Sequence, residues 1–234
     1  MPADTSPAPL APVSRASRAM AAASRKSRPL YRFAQFLVST YCRLCHGLTM
    51  EGLEHVPATG GLLVIANHQS HLDPPLLGSI CPRPIQWLAK AELFNKPFLS
   101  WLLPEFGQVP VAREAGGGET VKTAVEILKQ GLVLGVFPEG SRSRDGARQK
   151  AKTGAVAMAV LADVPLLPIY ISGTRAAMPP GATLPIPGRK IHVRIGPPFR
   201  LDLPAEALED VDRREAEAEA VLDRVFALAP GGTA

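Results

Sequence analysis

The chain has 234 residues, enough for one α/β domain with a full core and an appendage. Hydrophobic residues make up 46% and charged residues 20%, which excludes a chain disordered throughout. The net charge of +5 is uneven: residues 1–50 carry seven basic side chains against Asp4, a net +6, which leaves −1 for residues 51–234. A basic arm of this kind points to an anionic partner. The chain lacks a helix-turn-helix pattern and an RNA-reading aromatic platform, so a phospholipid surface is the expected partner and nucleic acid is not.

No stretch contains the roughly 18 to 20 apolar residues that span a bilayer. Residues 1–28 lack the apolar region of a secretory signal and are rich in Ala, Ser, Pro and Arg. Transit peptides share that composition, but a disordered basic tail is the expectation for 1–28. The three cysteines, Cys42, Cys45 and Cys81, form no disulfide framework by count. Cys42-Arg43-Leu44-Cys45-His46 spells the C-x-x-C-H pattern of haem attachment. That chemistry needs export and a second axial ligand, so the pattern is assigned to chance on a helix.

Next comes Pro29 and a segment in which Phe33, Phe36, Leu37, Tyr41, Leu44 and Leu48 recur at helical spacing. Flanking arginines suit a helix lying in a membrane interface, and packing on the domain's own core is the alternative. Residues 29–49 are therefore read as an amphipathic helix and 50–234 as the main domain. Within that domain, strands are expected at 50–55, 62–66, 85–89, 108–112, 132–137, 164–171 and 191–195. Helices are expected at 74–80, 97–103, 119–130, 152–162 and 204–228, with Gly131 as a C-cap. This alternation predicts an α/β fold, a single domain with a largely parallel central sheet flanked by helices.

The carboxyl ends of such strands are where ligands bind. There the sequence places Asn67-His68-Gln69-Ser70-His71-Leu72-Asp73, followed by Pro74. Asp73-Pro74 has the form of an N-cap and first helical residue. A histidine held by a carboxylate five residues on is a general base of fixed tautomer. Gly107-Gln108-Val109-Pro110-Val111-Ala112-Arg113 ends another strand in an arginine. Phe137-Pro138-Glu139-Gly140-Ser141-Arg142-Ser143 forms a polar loop whose arginine offers a planar fork to phosphate oxygens. Val164-Pro165-Leu166-Leu167-Pro168 is an apolar strand broken by two prolines. A metal site on His68, His71 and Asp73 lacks further ligands at suitable spacing, and no metal is expected. There is no G-x-S-x-G elbow for a serine esterase.

Together these four blocks, in this order over residues 62–169, resemble the glycerolipid acyltransferase family. The resemblance implies transfer of a fatty acyl group from acyl-CoA or acyl-carrier protein to a lysophospholipid hydroxyl. The implied acceptor is lysophosphatidic acid, giving phosphatidic acid. Other lysophospholipids, a lyso-aminolipid and glycerol 3-phosphate are the alternative acceptors, and a lipid-binding protein without turnover is a further alternative. His68 is implied as the base and Asp73 as its orienting partner, with no acyl-enzyme and no cofactor besides the thioester donor. Arg113 is implied to hold the acceptor's phosphate, and Glu139, Gly140 and Arg142 to help position glycerol and phosphate. Lys90 and Lys152 are lesser electrostatic candidates; Ser70 and His71 are read as structural. Leu76, Leu77, Phe98, Leu99 and Leu102 could line an acyl tunnel or form core. Better-known bacterial members enter the membrane through a pair of N-terminal helices. One helix is visible here, which leaves peripheral association at the cytoplasmic face as the expectation.

Overall fold

The computed structural model describes residues 29–111, 117–143 and 145–231, so the expected tail at 1–28 lies outside the described residues. Helix α1 (Pro29–His46) leads into strand β1 (Thr49–Glu51). The rest follows in order as β2 (Leu62–Ala66), α2 (Asp73–Ile80), β3 (Ile85–Lys90), α3 (Pro97–Glu105), β4 (Gln108–Val111), α4 (Gly117–Lys129) and β5 (Val133–Val136). Then come α5 (Gly154–Ala162), β6 (Leu166–Ser172), the one-turn α6 (Thr174–Ala177), β7 (His192–Ile195) and α7 (Val211–Phe226). The seven strands form one sheet in the order β1-β7-β6-β2-β5-β3-β4, parallel throughout except for the β6–β7 pair. The expected α/β architecture is therefore the observed one.

β2 lies at the centre of the sheet and is buried along its whole length, as expected of a strand covered on both faces. Its alternate side chains enter two cores. Leu63 and Ile65 join Ala124, Ile127, Leu128, Val156, Val221 and Leu222 under α4, α5 and α7. Leu62, Val64 and Ala66 join Cys42, Leu76, Leu77, Leu167 and Ile171 beneath α1 and α2. Small residues of α5 let it approach closely: Ala155, Val156 and Ala159 are all buried.

Four details differ from the sequence reading. The strand expected at 50–55 stops at Glu51, because Gly52 takes φ 81° and turns the chain into a 3₁₀ turn, Leu53–His55. The helix expected over 204–228 is split into a 3₁₀ turn, Ala205–Leu208, and α7. The Asp210 side chain accepts from the Arg213 N–H and starts the second piece. Pro168 does not break β6: its carbonyl accepts from Gly196 N, and its missing N–H faces that same residue just past the end of β7, where the ladder has already ended. Asp73 is the first residue of α2 and not its cap, since its carboxylate turns back into the preceding loop.

α1 uses two faces. Its inner face is tied to α2: Tyr31 Oη and Gln35 Nε2 both donate to the Gly78 carbonyl, and Gln35 Nε2 also donates to that of Cys81. Cys42 of the C-x-x-C-H pattern is fully buried, and burial raises its thiol pKa to about 11. His46 is buried too, with Nδ1 3.0 Å from the Arg189 carbonyl. Outward, Phe33, Phe36, Leu37 and Leu44 remain exposed, Phe36 at 64% and Leu44 at 81%. The single stripe read from the sequence is thus divided, with Tyr41 and Leu48 packed inward.

Two positions set where β2 hands over to the next loop. Asn67 continues the ladder with its side chain: Nδ2 donates to Ile171 O at 2.9 Å and Oδ1 accepts from Ile171 N at 2.7 Å. Gly135 makes room for an indole; a Cβ there would lie 2.5 Å from Trp87 Cζ3. Asn67→Ala strands two buried backbone groups and is expected to cost about 1–3 kcal/mol by urea denaturation. Gly135→Ala is expected to cost about 1–3 kcal/mol by overpacking and to alter the Trp87 near-UV signal while far-UV ellipticity is retained.

Candidate functional site

The site forms where the carboxyl ends of β2 and β5 lie side by side, the place a parallel sheet reserves for ligands. His68 is two residues beyond β2. Its Nδ1–H donates to Asp73 Oδ2 at 2.9 Å, and Asp73 is 0% exposed. The same oxygen accepts the Gln69 and Ser70 N–H groups, each at 2.8 Å. One carboxylate oxygen therefore closes the turn and fixes the ring. With Nδ1 committed to Asp73, Nε2 is the nitrogen left to take a proton, and the imidazole borders an open cleft.

The residues after β5 brace His68 from the other side. Glu139 Oε1 accepts the His68 N–H at 3.0 Å, and the Ser143 N–H donates to the His68 carbonyl at 2.8 Å. Glu139 Oε2 accepts from Gln149 N at 3.1 Å. Both oxygens of this buried glutamate thus hold backbone. Burial raises its pKa, an effect that the His68 and Gln149 N–H groups only partly offset. Gly140 takes φ 73°, and a Cβ there would meet the Lys152 side chain at 2.9 Å. The left-handed backbone is what calls for glycine here, since the flexible lysine tail could move aside.

Two aromatic residues complete the frame. The His68 ring stacks on Phe137 with centroids 3.8 Å apart and planes 12° apart. Phe137 in turn stacks on Trp87 at 5.2 Å and 13°. The imidazole is held at its edge by a carboxylate and on its face by a ring. The sequence reading treated Phe137 as the end of a strand and gave Trp87 no role. Nothing local could reveal the stack, because β3, β5 and the His68 loop meet only in the folded sheet. The glycine within β5 was the one available hint.

The cleft has a volume of about 1290 Å³. Its polar wall includes His68, Lys90, Ser141, Arg142 and Lys152. Arg142 also lies close enough to His71 to lower that residue's pKa, after partial desolvation. Ser70 Oγ donates to the Met178 carbonyl and accepts from Leu72 N, so it is tied into the turn. Arg113 lies outside the described residues; Val111, the last residue of β4, borders the cleft. Among the described residues, no group of three or more His, Cys, Asp or Glu gathers as a metal site. An apolar pocket of about 190 Å³ adjoins the cleft, sharing Pro74, Trp87 and Gln108 with it and reaching Tyr31, Val38 and Phe106. Of the residues read as tunnel or core, Leu76 and Leu77 belong to the core, Phe98 is exposed, Leu99 and Leu102 are half-buried, and none lines this pocket.

Comparison with known proteins places the chain in a family. The family model described as Acyltransferase matches residues 47–172. The 1-acyl-sn-glycerol-3-phosphate acyltransferase of Bacillus subtilis is 31% identical over 145 residues, covering 62% of this chain and 72% of that protein. The chloroplastic 1-acyl-sn-glycerol-3-phosphate acyltransferase LPAT1 of Arabidopsis thaliana is 34% identical over 138 residues, covering 58% of this chain and 38% of its own length. Among solved structures, the 1-acyl-sn-glycerophosphate acyltransferase PlsC of Thermotoga maritima superposes with a TM-score of 0.64 at 26% identity, covering 89% of this chain and 84% of that one. A match over more than half the chain and a shared fold, with His68 and Asp73 joined inside the matched segment, establish that this chain belongs to the acyltransferase family.

Proposed function

We propose that this enzyme transfers a fatty acyl group from a thioester donor, acyl-CoA or acyl-carrier protein, to the free hydroxyl of lysophosphatidic acid, yielding phosphatidic acid. The observation that carries the reading is the His68–Asp73 pair, a base with a fixed tautomer opening onto a cleft with a cationic wall. The names of the similar proteins support the choice of acceptor.

In this mechanism His68 Nε2 removes the acceptor's hydroxyl proton as that oxygen attacks the thioester carbonyl. Asp73, buried and within 2.9 Å of the ring, stabilises the imidazolium. The C–O ester bond forms, the C–S bond breaks, and the leaving thiolate takes up the proton. A thiol with a reference pKa of about 8.5 leaves with little acid assistance. Phe137 and Asp73 hold the ring in line, so part of the orientation cost is met before substrate arrives.

Arg142, and Arg113 by its place in the second block, take the phosphate. Glu139 and Gly140 serve the acceptor by holding the frame on which His68 and Arg142 sit. Lys90 and Lys152 add positive potential. The apolar pocket beside Trp87 suits the first part of an acyl chain. No described helix is long and apolar enough to cross a membrane. The outer face of α1 supports peripheral binding at an anionic leaflet on the cytoplasmic side, with Phe33, Phe36, Leu37 and Leu44 exposed beside Arg32 and Arg43.

Thiol release from a long-chain acyl-CoA or acyl-carrier protein, with and without lysophosphatidic acid, tests the reaction. Release that depends on the acceptor and falls about 10²- to 10⁴-fold in His68→Ala is the expected result. Release without any acceptor would instead mark a thioesterase. Release with glycerol 3-phosphate or a head-group lysophospholipid alone would reassign the acceptor. For the membrane surface, the double variant Phe36→Asp, Leu44→Asp is expected to bind phosphatidylglycerol vesicles about tenfold or more weakly in flotation assays. Unchanged flotation would remove α1 from the interface.

A further inference from the structure

Helix α7 lies outside the four sequence blocks, yet it reaches the site through the loop after β5. Glu215, Glu219 and Asp223 are spaced by four and form an acidic row on its surface. Each pairs with a basic residue of segment 148–151: Glu215 with Lys150 at 2.8 Å, Glu219 with Arg148 at 2.8 Å, and Asp223 also with Arg148. Exposed ion pairs of this kind contribute little on their own. Glu219 differs from its neighbours, because its second oxygen accepts the N–H of the buried Ala151 at 2.8 Å.

From that contact a short series of hydrogen bonds leads to the base. Lys152 N donates to Pro138 O at 2.7 Å. The Gln149 side chain makes two bonds to Ser141: its Oε1 accepts from Ser141 Oγ at 3.1 Å and its Nε2 donates to Ser141 O at 3.0 Å. Gln149 N–H donates to Glu139 Oε2, and Glu139 Oε1 accepts from His68 N. Segment 149–152 thus forms the backing for residues 138–141 and, next to them, Arg142 of the cleft wall.

We propose that Glu219 is a positioning residue for acyl transfer, acting through the Ala151 N–H to hold segment 149–152 behind Glu139, Ser141 and Arg142. This inference rests on the proposed reaction for its kinetic readout. It assigns the C-terminal helix a part in acceptor placement and gives Glu219 a role that Asp223, one turn further on, lacks. The backbone bond is the working contact, and the charge pair with Arg148 is accessory.

The test compares full-length Glu219→Ala, Glu219→Gln and Asp223→Ala. Gln retains an oxygen for the Ala151 N–H and discards the charge. Glu219→Ala is expected to raise the KM for lysophosphatidic acid about tenfold, with kcat within about threefold, because small displacements of a positioning group are costly. Glu219→Gln is expected within about twofold of the parent, as is Asp223→Ala. Amide exchange measured on the same proteins should rise across residues 139–152 in Glu219→Ala alone. Parent-like kinetics and exchange in Glu219→Ala would overturn the proposal. So would failure of Gln to rescue, which would assign the effect to charge. If the parent protein acylates none of the acceptors, the proposed reaction falls, and the exchange comparison still decides whether Glu219 braces the loop.

Discussion

The site depends on one buried oxygen. Asp73 Oδ2 accepts from His68 Nδ1 and from the N–H groups of Gln69 and Ser70, in a position with no solvent access. A carboxylate without partners in such a place would be held there only at a cost of several kcal/mol. Three converging donors offset that cost, and two of them are backbone. The turn that carries His68 and the tautomer of its ring are therefore fixed by the same atom. A substitution at Asp73 cannot alter one without the other.

Around that oxygen the protein restrains His68 on every side but the cleft. Its backbone N–H and carbonyl are both taken by the loop after β5, from Glu139 and Ser143. Its ring rests on Phe137, which rests on Trp87, which occupies space left by the missing side chain of Gly135. These restraints come from β3, β5 and the loop after β5, which parallel pairing brings beside the end of β2. Such packing leaves the ring little freedom to lose when substrate binds. Glu139 braces His68 from behind, since both its oxygens are occupied by the chain itself.

The N-terminal helix couples this rigid site to a surface of different character. Its inner face is fixed to α2 through Tyr31 and Gln35, and α2 begins at Asp73. Its outer face leaves large apolar side chains in contact with solvent. A soluble domain gains nothing from that exposure, whereas a lipid interface would cover it. The apolar pocket that adjoins the cleft is lined in part by the same helix, through Tyr31, Ala34, Gln35 and Val38.

Much of this was legible in the sequence because it is local. Apolar runs and turn residues marked the strands, and β2, β3 and β5 lie within a residue or two of their expected bounds. The five-residue spacing of His68 and Asp73 is closed by one turn, so their pairing needed no knowledge of the fold. Other features required tertiary structure, because their partners are distant in the chain. Strand order alone decides that β5 lies against β2 and brings Glu139 to His68, 71 residues away. The same order builds the Trp87–Phe137–His68 stack, and the packing of α7 against α5 and β6 sets Glu219 against Ala151. On α1, helical spacing gave one apolar stripe, and only packing against α2 decided which side chains face inward. Periodicity and spacing express the geometry of a single element, whereas the surroundings of His68 are set by which elements the sheet makes neighbours.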